Sequence, residues 1–187
     1  MSNYYRLTFE PEIEKAWYLS KIMYSDNEYI PDFYFISAHR FNLESGRNVK
    51  VIQSVEGYPV DFRLTAFGVP VVSKSFADVV QSFDGNAVQR IPVEIDYFQT
   101  DYEILNILDA QECIDDKQTY VQRYTAETNS DKVGEIHFLG DIKIVPEAVK
   151  GHHIFRLDEW KIIIIVSNAL KQALESNHFI GMRFVPV

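Results

Sequence analysis

HHIFRLDEWKIIIIVSNALKQALES, residues His152 to Ser176, decides how this chain is read. Its paired histidines suggest a metal, its isoleucines a membrane, and its polar end a helix. On an extended strand, adjacent side chains point to opposite faces, so His152 and His153 cannot share one ion. His39, His137 and His178 bring no ligand spacing to help them, and zinc needs three or four donors. The pair reads as a loop entering a strand, with no metal site. Ile162 to Val166 is far shorter than the ~20 apolar residues of a spanning helix. What remains is a fold signal. A β-branched run predicts a buried strand covered on both faces. Ser167 then stands before Leu170, Ala173 and Leu174, a helix cap followed by one helical face.

The same order occurs upstream. Phe62-Arg63-Leu64 matches Phe155-Arg156-Leu157, and Val72-Ser73 matches Val166-Ser167. Phe76, Val79, Val80 and Phe83 fall at i, i+3, i+4 and i+7, with Ser73 or Ser75 as the cap. Pro92-Val93 matches the terminal Pro186-Val187. The register holds with a single one-residue slip, so a strand–strand–helix–strand unit is expected twice. True duplication and shared supersecondary structure both account for it. Phe62 and Leu64 alternate as on a strand with one wet face, and Gly85 is expected to end the first helix with a positive φ.

Around these units, YYRLTF, AWYLSKI and FYFISAHRF read as strands of an antiparallel sheet within residues 1–60. ESGRNVKVIQ reads as a turn at Gly46 entering another strand. YEILNILDAQECIDD fits a helix or a strand and is assigned as a strand. TAETNSDKVG reads as a loop, and EIHFLGDIKIVP as strands around Gly140. The expected fold is α+β, mostly antiparallel sheet with a few short helices. It forms one domain over 1–187, or two tightly packed lobes, 1–95 and 96–187.

Composition narrows the function. An apolar fraction of 47% supports a packed core, and a net charge of −9 repels phosphates. Nucleic acid and anionic membranes are therefore not expected partners, whereas a basic protein is compatible. Cys113 is the one cysteine, which excludes an intrachain disulfide. The N-terminus carries no secretory pattern, so a cytoplasmic protein is expected.

Catalytic patterns are missing: no G-x-S-x-G, no G-x-G-x-x-G and no phosphate loop. Beside Glu112, Asp115 and Asp116, like-charge repulsion is expected to raise the Cys113 thiol pKa and dull its reactivity. No catalytic residue and no cofactor is assigned. The feature that stands out is an acidic band of Asp96, Asp101, Glu103, Asp109, Glu112, Asp115 and Asp116, with little basic offset before Lys117. It reads either as a docking surface for a basic partner or as a solvated sheet edge protected from aggregation.

Leu105 to Asp115, Gly151 to Leu157, Ile162 to Val166 and Ser167 to Leu174 together resemble the bacterial immunity proteins of polymorphic-toxin and contact-dependent competition systems. The resemblance spans Tyr102 to Val187 and extends more weakly to the earlier FRL and VVS segments. It rests on packing residues and marks no contact residues. It implies a non-catalytic protein that binds and neutralises a cognate toxin, with the acidic band as the candidate contact zone. The alternatives are a small hydrolase or a ligand-binding regulatory domain whose site forms only in the fold.

Overall fold

Ser73 and Ser167 both adopt extended backbone and accept a hydrogen bond from the N–H three residues on, Phe76 at 3.4 Å and Leu170 at 3.2 Å. Each satisfies an orphan donor and starts a helix at the position its sequence predicts. The computed structural model describes residues 3–95 and 98–187, with only the backbone described for 98–100. The described chain begins with β1 (Tyr4–Phe9), β2 (Tyr18–Tyr24), β3 (Tyr29–Ile30), α1 (Phe33–Ile36) and β4 (Val49–Val55). The first predicted unit follows as β5 (Phe62–Leu64), β6 (Pro70–Ser73), α2 (Lys74–Phe83) and β7 (Val88–Ile95). Between the units lie β8 (Phe98–Ile107), β9 (Ala110–Gln111), β10 (Tyr120–Arg123) and β11 (Ile136–Gly140). The second unit is β12 (Ile154–Leu157), β13 (Trp160–Ser167), α3 (Asn168–Ser176) and β14 (Met182–Pro186). The fold is α+β and mostly antiparallel, as expected.

Both units make the same arrangement. β5 and β6 pair antiparallel, and β6 and β7 both pair antiparallel with β8. β12 and β13 pair antiparallel, and β13 and β14 both pair antiparallel with β1. The amino-terminal strand thus holds in the second unit the place that β8 holds in the first. The resulting sheets are β3-β2-β4-β7-β8-β6-β5 and β14-β1-β13-β12-β9, with β10-β11 as a separate ribbon. β1 therefore does not join β2 in the sheet expected for residues 1–60. Its partners come from the far end of the chain, which local pattern cannot show.

Period-two alternation distributes the side chains among three cores. Ile164 and Val166 of β13 enter the core shared by α2 and α3, with Phe62, Phe76, Leu105 and Leu174. Ile163 and Ile165 enter another, with Tyr4, Cys113 and Phe155. The expected cover on both faces of this strand is present. Ile104 and Val71 turn to a third core under Trp17, Ile22 and Phe35.

Four local expectations change, the first being that past Gly140 an isolated bridge between Ile144 and Ile114 forms where a second strand is expected. Arg63 is buried, not wet, and its guanidinium lies 4.6 Å from the Phe9 ring and 4.3 Å from the Tyr18 ring. The two ring faces attract the guanidinium electrostatically and offset part of the cost of burying it. Helix α2 ends at Asp84, whose N–H bonds Val80 O, and Gly85 does not take a positive φ. FYFISAHRF is not a strand: α1 and a loop occupy it.

Candidate functional site

Strand β8 divides the acidic band. Asp96 lies outside the described residues. Asp101 is exposed near one end of β8, and six residues separate it from the strand's other end. At ~3.3 Å per residue that is roughly 20 Å before Asp109 is reached. Asp101 and Glu103 line a cleft of about 410 Å³ with Leu43, Asn48, Lys74 and Glu94. Glu94, exposed and next to them in space, was not part of the expected band. Glu103 is buried, and its carboxylate receives Arg90 Nε at 2.5 Å. Arg90 also reaches Asp78 at 2.6 Å, and these bonds raise its pKa. That ion pair ties β7 and β8 to α2.

Beyond β8, Asp109 accepts from Gln111 Nε2 at 2.5 Å and sits 2.6 Å from His152 Nδ1. Asp115 closes a turn, accepting from Lys117 N at 3.0 Å and Gln118 Nε2 at 2.6 Å. Glu112 and Asp116 remain exposed, the latter 3.7 Å from Arg123. The band thus forms two surfaces. Among the described residues, the exposed carboxylates on them are Asp101 on the first, and Glu112 and the Arg123-paired Asp116 on the second.

His152 and His153 line another cleft, of about 440 Å³, with Asn3, Glu147, Lys150 and Ser167. As predicted for a loop entering a strand, they take different partners. His153 Nδ1 lies 2.9 Å from Ser167 Oγ and its ring stands edge-on to Phe83. The Ser167 hydroxyl already caps α3, so it is committed to holding the fold. Cys113 is 4% exposed, and its thiol is pushed up to about 11. The direction matches expectation, but the cause is burial among apolar side chains, not the neighbouring carboxylates. A protonated, enclosed thiol is a poor nucleophile.

The feature that sequence reasoning missed is the segment around α1. Three buried or half-buried side chains hold its main chain. Arg156 Nη2 donates to Phe35 O at 3.1 Å, and Asn106 Nδ2 donates to His39 O at 2.8 Å. Gln89 accepts from Phe41 N at 2.8 Å and donates to Phe41 O at 2.8 Å. Asn106 and Gln89 also bond each other at 3.0 Å. Because these strands' side chains claim the segment's carbonyls, it cannot pair as a strand. Buried Asp32 adds a fourth anchor, accepting from Tyr29 Oη at 2.9 Å and Thr65 Oγ1 at 3.4 Å. Outward from this frame stand Phe33 (67% exposed), Tyr34 and Tyr29. Tyr29 and Tyr34 line a cleft of about 380 Å³ with Tyr24, Phe41, Glu28 and Glu44.

A comparison with protein-family models matches residues 46–187 to the Immunity protein family (Imm11). No curated protein matches the chain.

Proposed function

Because the chain belongs to the Immunity protein family (Imm11), we propose that it binds a cognate protein toxin and holds it inactive, without catalysing a reaction. The family match carries this reading. It runs through both FRL strands and both serine-capped helices, so the fold described above is in large part the family's own. The net charge of −9 favours encounter with a basic partner. Asp101, with Glu94 beside it, and Glu112 with Asp116 are the acidic contact candidates, exposed where Glu103, Asp109 and Asp115 are held within the fold. A cytoplasmic protein meeting a toxin that has entered the cell fits this role. Among the described residues no helix is long and apolar enough to cross a membrane.

Co-expression tests it. The toxin-bearing product of the neighbouring gene is produced with and without this chain. Rescue of growth and co-purification of the two proteins are expected. If the chain neither rescues nor co-purifies, the reading fails.

A further inference from the structure

We propose that the segment Phe33 to Leu43 is the partner-reading element of this protein, a main-chain-clamped platform whose exposed side chains meet an arginine- or lysine-bearing face of the cognate toxin. This rests on the immunity reading and adds to it where recognition is decided.

The clamps and the clamped segment fall on different sides of the family match. Gln89, Asn106 and Arg156 lie within residues 46–187, and Phe33 to Leu43 lies before them. All three clamps take backbone groups of Phe35, His39 and Phe41. A main-chain bond is indifferent to the side chain carried by the residue it holds. The scaffold would grip this segment equally whatever outward residues it carried, which suits an element that discriminates between related toxins. Arg156 and Asn106 are fully buried, so the frame is rigid and the ordering cost of binding is already met in the fold.

What the platform displays specifies its occupant. Phe33 and Tyr34 are exposed aromatic rings, a class of side chain enriched at interfaces. Glu28, Glu44 and Arg40 line the adjoining cleft, and Asp26 joins the two carboxylates through Arg47. The chemistry is already at work within the chain. Arg47 lies 3.4 Å over the Tyr24 ring and reaches Asp26 at 2.8 Å, Glu28 at 2.6 Å and Glu44 at 3.0 Å. Three carboxylates against the guanidiniums of Arg47 and the exposed Arg40 leave a net negative charge for a cation supplied by the partner, against Tyr29 and Tyr34.

The test measures association and dissociation of the purified neighbouring-gene toxin domain with the full chain and its variants. Phe33→Ala with Tyr34→Ala is expected to raise Kd by about ten-fold or more, mainly through faster dissociation, because buried anchors act on the off-rate. Tyr34→Lys, which sets a like charge against a basic face, is expected to weaken binding at least as much. Thermal midpoints equal to the parent's, expected for exposed positions, exclude unfolding as the cause. Tyr34→Phe is expected to retain binding. A parent chain that binds the toxin while both variants bind it unchanged overturns the platform and leaves the immunity reading standing. A parent chain that does not bind overturns both. Sedimentation separates the remaining outcome: a parent dimer that the variants abolish, with toxin affinity unchanged, assigns the face to a second copy of this chain and refutes the proposal.

Discussion

Arg156 and Phe35 are 121 residues apart, yet the guanidinium of one donates to the carbonyl oxygen of the other at 3.1 Å. Arg156 also donates to Lys161 O at 2.6 Å, and its Nε meets no acceptor among the described residues. Burial lowers its pKa to about 10. The unfolded chain holds that proton more tightly, so the desolvated charge weakens the fold at neutral pH, and the two carbonyl bonds must offset it. Arg156→Met relieves the charge but strands both carbonyls, at about 1–3 kcal/mol per buried unpaired group. The expected result is a net loss of about 1–3 kcal/mol in urea unfolding. Amide exchange should quicken first across residues 33–41. An unchanged midpoint with unchanged exchange would show that the clamp is idle.

Two glycines test whether left-handed backbone or close contact matters more. Gly181 has φ +100°, and a Cβ there would run into the Phe62 carbonyl oxygen and stand 2.9 Å from Val60. Gly46 has φ +81° with nothing within 4 Å. Gly46→Ala is expected to cost about 1–2 kcal/mol, the left-handed penalty alone. Gly181→Ala adds a backbone collision and is expected to cost about 3–5 kcal/mol. Thermal unfolding of the two variants side by side decides it, and equal losses would mean that the Gly181 contact is easily relieved.

Cys113 makes stability depend on pH in a defined window. Its thiol pKa rises from 9.0 unfolded to about 11 folded. Between those values the unfolded chain has lost the proton and the native chain keeps it, so stability falls as pH rises through pH 9 to 11. The full contribution is on the order of 2–3 kcal/mol. Cys113→Ala should flatten that part of the curve. Some slope will persist, because burial also raises Tyr102, from 10.0 to about 12. Iodoacetamide labelling of the native protein at pH 8 should be slow and should become fast in urea. Rapid native labelling would contradict the enclosed thiol.

Charge reversal probes the acidic surface. Asp115 is a poor choice for it, since its carboxylate closes a turn through Lys117 N and Gln118 Nε2. Glu112→Lys with Asp116→Lys leaves that turn intact. It should slow association with a basic toxin several-fold at low salt and lose most of that effect near 0.15 M, where the Debye length is ~8 Å. Stopped-flow rates against ionic strength measure it, and a salt-independent rate would remove this surface from the interface.

The quoted stretch carried most of what the chain could state about itself. Helix caps, the strand expected over Ile162 to Val166 (buried from Ile163 on, with Ile162 exposed) and the order of both units are local properties, written in periodicity and in one hydroxyl at the right place. The family's packing residues lie in the same stretches, and so they were recognisable. Local pattern could not foresee that Tyr4 to Phe9 would pair with β13 and β14, because pairing is settled by which edges remain open after the rest has folded. Neither could it foresee that one strand would split a continuous acidic run into two surfaces about 20 Å apart. FYFISAHRF departs from its local pattern for the same kind of reason. Its aromatics suit a strand, and only the clamps arriving from Gln89, Asn106 and Arg156 take up its backbone. Sequence alone determined the building units, because their energetics are local. The tertiary structure decided which side chains face a partner, because exposure and hydrogen-bond partnership depend on segments far apart in the chain.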